Sequence, residues 1–224
     1  MGAMNYDLNF NLVWRHFDKL VDGLILSLQL AAMSIGIGMA IGLVLALAYV
    51  DGNRWVRAAI TGYVEFIRNV PLLLLVYLVF YGLPTVVDIR YDAATSFVAT
   101  LSIYGGAYLV EVLRAGLQAV PQGLIEAGKA IGLTPLQRLL SVRLPTALRI
   151  ALPSLSNTYV SLFKDTSIAS VLAVPELTYR AQWINVNTFR IVEVYAIATP
   201  AYLVTGYAIL FLLRLLERRY AVTR

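Results

Sequence analysis

The chain has 224 residues, of which 59% are hydrophobic and only 14% charged, and its mean hydropathy is +0.73. A soluble domain carries about 25% charged residues, so these side chains cannot cover a water-facing globule and a membrane protein is expected. The net charge of +5 is not gathered into a basic cluster, which argues against nucleic acid, and the lack of cysteine excludes a disulfide scaffold or a cysteine-rich zinc site.

The segment before the first apolar run has no basic n-region, so no cleaved signal peptide is expected. It holds the single histidine, His16, which is poor material for a metal site. A helix needs about 20 apolar residues to cross a bilayer core. The first such run lies between Asp22 and Asp51, where there is no charge. It contains Ser34, Gly38 and Gly42 at a spacing that lets helices approach closely, although glycine is common in membrane helices. The second span covers about 56–83, carries Glu65 and Arg68, and meets a helix break at Pro71. The third runs over 93–110 and on past Glu111 to Arg114. The fourth covers 147–174 and is interrupted by Lys164-Asp165, and the fifth covers 194–213. The fold class expected is therefore all-α, a single polytopic membrane domain over 1–224 with about five transmembrane helices.

Lys and Arg in the connections set orientation. With the N-terminus outside, 11 of the 18 basic residues fall on inner segments: Arg54, Arg57, Arg114, Lys129, Arg138, Arg143, Arg149, Arg214, Arg218, Arg219 and Arg224. Five fall outside: Arg15, Lys19, Arg90, Arg180 and Arg190. The bias favours N-out and C-in. An odd number of spans disfavours a single-chain carrier made of two equal inverted halves.

The inner loop, about 119–146, reads as two short helices. Pro121 allows a start, Leu124, Ala127 and Ile131 share one face, and Gly132 stands where a helix C-terminal glycine belongs. Thr134, Pro135 and Gln137 then form a second start signal, with Leu136, Leu139 and Leu140 along one side and Pro145 expected to end the helix. This pattern fits either a docking surface or an ordinary packed loop.

The residues Glu126-Ala127-Gly128, three residues, Gly132, nine residues, Val142, one residue, and Leu144-Pro145 resemble the EAA loop of ABC importer permeases, EAA-x3-G-x9-I-x-LP. Gly128 stands where that pattern has a second Ala, and Val142 where it has Ile; small size and apolar character are kept. Residues 65–73 and 107–116 are similar to signatures of the polar amino-acid branch, and Lys164-Asp165-Thr166-Ser167 to its KDTS element. Leu124 departs from the Gln often found in that branch. The resemblance implies a type I importer permease in a bacterial cytoplasmic membrane, paired with a second permease chain of the same or a sister kind. It also implies an extracytoplasmic amino-acid-binding protein and an ABC ATPase dimer that docks on Glu126, Ala127, Gly128, Gly132 and Leu133. ATP and Mg would sit on that ATPase. This chain has no GxxxxGK[ST] loop, no convincing catalytic triad and no cofactor site of its own.

Charges within spans cost at least about 2.5–3.5 kcal/mol at the bilayer centre, so they must be paired, hydrated or used. Glu65 and Arg68, and likewise Glu111 and Arg114, are three apart and suit structural ion pairs. Arg68 and Asn69 beside Pro71, and Lys164, Asp165, Thr166 and Ser167, are candidates for the translocation pathway or for structural roles alone. Tyr77, Phe80 and Tyr81 are expected to pack or to form an interfacial belt.

Overall fold

A computed structural model describes residues 6–87 and 91–220, and every regular element among them is helical. Arg90 and Arg224, counted above for orientation, lie outside the described residues. A short helix α1, Asn11–Trp14, leads into α2, Phe17–Asp51. At 1.5 Å per residue α2 is about 50 Å long, more than a bilayer core requires.

Helix α3, Arg54–Asn69, starts at Asn53, whose side-chain oxygen accepts from the backbone N–H groups of Trp55 and Val56 at 3.0 and 3.1 Å. Its buried residues, Ile60, Val64 and Ile67, recur every three to four positions. It stops where proline forces the preceding residue out of helical geometry: Val70 is extended at φ −100° and ψ 131°. Helix α4, Leu72–Tyr77, then runs through a π-helical turn, Leu78–Gly82, into α5, Leu83–Val87. The two arms meet at 103°. The expected second span is therefore a pair of helical arms bent at the proline, a geometry that suits a broken span or a re-entrant loop.

Helix α6, Ala93–Gln118, is capped by Asp92, which accepts from the N–H of Thr95 at 3.0 Å. Of its most apolar stretch 67% is buried, against 11% in the final helix α11, Ile191–Tyr220. Thus α6 is the axis of the fold and α11 lies at its margin. Small residues weld α2 to α6: a Cβ on Gly42 would sit 2.7 Å from Leu109 Cβ, and one on Gly38 would sit 3.1 Å from the Ser102 carbonyl oxygen. The spacing read in the first span is thus a packing seam.

The loop after α6 forms α7, Gln122–Ala130, and α8, Pro135–Arg138. Pro145 does not end a helix, contrary to expectation. A π-helical turn, Leu139–Arg143, joins α8 to α9, Leu144–Asp165, and the chain stays helical through the proline. In that wider turn Leu144 N–H donates to the Leu139 carbonyl, five residues back. The register shift places Pro145 in the first turn of α9, where its missing donor breaks nothing. Among the described residues only α2, α6 and α11 are single helices long and apolar enough to cross a membrane, four spans if the bent pair counts as one. Helix α9 thus falls short of the expected fourth span; its expected interruption at Lys164-Asp165 is present. α9 stops at Asp165, a 3-10 helix covers Thr166–Leu172, and Ala173 adopts a left-handed conformation. Helix α10, Leu177–Thr188, follows before α11 and has no counterpart in the apolar runs.

Candidate functional site

At the loop end of the molecule, α7 closes with Gly132 at φ +81°, a conformation that side chains disfavour. Its N–H donates to the Lys129 carbonyl and that of Leu133 to the Gly128 carbonyl, both at 3.0 Å. Gly128 is the buried residue of α7, and a Cβ there would lie 3.3 Å from Arg138 Cγ. Arg138 in turn donates to the Leu133 carbonyl at 2.6 Å. Thr134 and Gln137 form a reciprocal capping box at the start of α8, as their order predicts. The turn between the two helices is therefore fixed by backbone caps rather than by an apolar core.

What that turn displays is apolar. Ile131 is 77% exposed, Leu136 63% and Leu140 55%, with Glu126 and Ala127 also exposed beside them. Ile125 instead packs inward against the cluster of Leu117, Val120 and Ala147, which roots the loop on α6 and α9. Arg143 pairs with Asp51 at 3.1 Å and ties the loop to the end of α2.

A second site lies between α6 and α9. Tyr104 and Tyr108 of α6 face Asn157, Thr158, Ser161 and Asp165 of α9 across a polar cavity of about 370 Å³. The two tyrosine hydroxyls are 3.1 Å apart. The Arg68 guanidinium lies 5.1 Å from the centre of the Tyr108 ring, so α3 brings a cation beside a cavity that Asp165 also lines. A cavity of this volume suits a small molecule.

The residues singled out in the sequence divide accordingly. Asp165 lines the cavity, and Arg68 stacks on Tyr108, one of its lining residues. Lys164 is exposed. Thr166 is fully buried and donates its hydroxyl to the Phe163 carbonyl at 2.7 Å, which serves the helix end rather than the cavity. The Ser167 carbonyl accepts from the Ser170 hydroxyl. Asn69 donates to the Glu65 carbonyl at 2.7 Å, and Pro71 starts α4. Glu111 and Arg114 form the expected ion pair at 2.8 Å. The expected Glu65–Arg68 pair does not form, because Arg68 turns to Tyr108 across the helix packing. The cavity residues Tyr104, Asn157, Thr158 and Ser161 escaped the sequence reading. Their signal is visible in retrospect: Asn157, Ser161 and Asp165 stand four apart, a polar stripe along an apolar span.

The opposite end is held by two fully buried carboxylates. Glu176, at the N-cap of α10, accepts from the N–H groups of Thr178 and Tyr179 at 2.9 and 2.8 Å, from the Tyr202 hydroxyl at 2.7 Å and from the Ser27 hydroxyl at 3.3 Å. It thereby joins α2, α10 and α11. Gly23 permits this, since a Cβ there would lie 2.9 Å from Leu177 N. Glu193 accepts from the Asn9 N–H at 2.8 Å and from the Tyr6 hydroxyl, with Arg190 at 3.5 Å.

Residues 38–222 match the model of the family described as "binding-protein-dependent transport system inner membrane component". The chain is 32% identical over 220 residues to the glutamine transport system permease protein GlnP of Escherichia coli (strain K12), covering 98% of this chain and 100% of that one. It is 37% identical over 198 residues to the L-cystine transport system permease protein TcyB of Bacillus subtilis (strain 168), covering 88% and 84%. Its fold matches the crystal structure of an amino acid ABC transporter with histidines at a TM-score of 0.86 and 32% identity, over 96% of this chain and 100% of that chain. An all-helical membrane fold, a capped loop of EAA spacing and these likenesses over nearly the full length agree: the chain belongs to the inner membrane components of binding-protein-dependent transport systems, and is a transport subunit rather than an enzyme.

Proposed function

We propose that this chain lies in a bacterial cytoplasmic membrane, N-terminus out and C-terminus in, and pairs with a second permease chain, the same or a sister, to form the pathway for a polar amino acid. The observation that carries this reading is the loop of α7 and α8, where three large apolar side chains stand in water on a turn fixed by its own caps. Such a surface is stable in the free chain and gains by being covered. An ABC ATPase dimer is the occupant we assign to it, with Glu126, Ala127, Gly128, Gly132 and Leu133 forming the coupling element. ATP and Mg are held by that partner. Closure of the ATPases would push this element, and the Arg143–Asp51 pair would pass the displacement to α2.

The amino acid arrives from an extracytoplasmic binding protein, and the relatives' names point to the substrate class: glutamine and cystine are both polar amino acids. Any free amino acid is a zwitterion, which needs a partner for each charge. Asp165 offers an acceptor for the ammonium and Arg68 a donor for the carboxylate, while the tyrosine, serine and asparagine groups of the cavity can replace lost water. Lys164, Asn69, Thr166 and Ser167 then act one step away, by shaping the helix ends that present these groups.

The test is uptake in proteoliposomes. With ATPase and binding protein present, the wild type is expected to transport in an ATP-dependent way, and Asp165→Asn or Arg68→Gln to reduce transport strongly while leaving binding-protein docking intact. Uptake by liposomes that contain this chain alone would make it a free-standing carrier and defeat the proposal.

A further inference from the structure

A groove of about 690 Å³ lies where α11 meets the base of the coupling loop and shares no lining residue with the cavity of Asp165. Leu124, Ile150 and Pro153 give it apolar walls, and Arg149 and Arg218 stand on its rim. Glu217 also reaches it, but its carboxylate accepts from the Ser156 hydroxyl at 2.6 Å. Among the described residues neither arginine makes an ion pair. Two cations without an ion-pair partner thus flank one apolar slot, with the Glu217 carboxylate held by Ser156 beside them.

The surface leading to the slot is equally specific. On α11, Phe211, Leu215 and Arg218 follow at intervals of four and three, so they share one face of the helix. Phe211 and Leu215 are exposed, as are their neighbours Leu212 and Leu216. An apolar stripe therefore runs down the least buried of the three long apolar helices and ends at the arginines. A soluble partner could cover the charged rim but would leave the stripe above it uncovered; a molecule with an anionic head and long hydrocarbon tails matches both.

We propose that this groove holds one anionic phospholipid of the inner leaflet, with its phosphate between Arg149 and Arg218 and an acyl chain along Leu215 and Phe211. Basic pockets between helices at the cytoplasmic side suit such headgroups. The proposal rests on the C-in orientation given above, but not on the identity of the transported solute. Because the groove is built from α7, α9 and α11 together, the lipid would brace the root of the coupling loop against the outermost helix.

Native mass spectrometry of the chain purified with its ATPase in mild detergent tests this, with phosphatidylglycerol and phosphatidylcholine of matched acyl chains as probes. One phosphatidylglycerol should be retained and phosphatidylcholine should not. Arg149→Gln with Arg218→Gln should weaken retention about thirtyfold, at the energy usual for two basic groups near an anionic surface. Arg15→Gln with Arg54→Gln, the same change in net charge elsewhere, should leave it unaltered. Equal retention of both lipids, equal loss with both pairs, or lipid bound only after the ATPase is stripped away would overturn the proposal, the last by giving the groove to the ATPase. Sidedness is read separately. The chain has no cysteine, so a single Arg219→Cys can be labelled with a membrane-impermeant maleimide. Labelling in inverted vesicles alone is expected; labelling from the outer side would defeat the inner-leaflet assignment. If no ATPase accompanies the chain, the importer reading falls, yet the lipid titration still reports on the groove.

Discussion

The two ends of this molecule are built in opposite ways. At the Glu176 end, polar groups are buried and mutually satisfied: one carboxylate takes hydrogen bonds from two backbone N–H groups and two hydroxyls and joins three helices. At the loop end, the backbone is satisfied by caps while the large apolar side chains stand exposed. The first end has completed its interactions within the chain. The second keeps an incomplete surface on a stiff support, which suits a part that must be gripped and moved.

That contrast fixes what substitutions should do. The largest effect on stability is expected from Glu176→Ala, which removes the acceptor shared by two backbone N–H groups and two hydroxyls in a buried site and should cost about 3 kcal/mol, read as a fall in thermal stability of the detergent-solubilised chain. Glu176→Gln, which keeps an acceptor, should cost less. A neutral result for Glu176→Ala would mean that this end is not held as described. Next comes the seam between α2 and α6: Gly42→Val has no room beside Leu109 and should cost about 2 kcal/mol by the same assay.

Substitutions in the loop should separate stability from activity. Gly132→Asp must adopt a left-handed conformation at a cost of about 1–2 kcal/mol, so the protein should still insert in the membrane. Transport, however, should be lost, since the turn that orients α7 against α8 is altered. Normal uptake by an inserted Gly132→Asp protein would show that the turn does not carry the coupling. The smallest effect on the free chain is expected from Ile131→Ser with Leu136→Ser. Both side chains are exposed, so stability should change by no more than about 0.5 kcal/mol while ATPase retention falls. A large loss of stability instead would make them part of a core.

Much of this architecture is legible in the sequence because it is local. The uncharged run between Asp22 and Asp51, the break at Pro71, the capping box of Thr134 and Gln137 and the glycine at 132 each depend on residues a few positions apart. The parts that depend on distant neighbours were not legible. Pro145 looked like a stop because the π-turn that accommodates it has no composition of its own. Arg68 looked like the partner of Glu65 at helical spacing, but the Tyr108 ring comes from another helix. The cavity exists only once α6 and α9 adjoin, so Asp165 was visible as a costly charge while Tyr104 and Ser161 were not. In the sequence Glu176 is one residue of a short polar connection, and only the fold makes it a buried cap.

The central claim is that the exposed loop is the seat of an ATPase, and co-purification tests it most directly. The chain would be extracted gently from its native membrane, and the proteins that accompany it identified by mass spectrometry, for the wild type and for Glu126→Arg. Glu126 is exposed, so the variant should fold and insert normally. Our account predicts an ABC ATPase with the wild type and its loss with the variant. An ATPase held equally by both, or by neither under conditions that keep known importers intact, would contradict it.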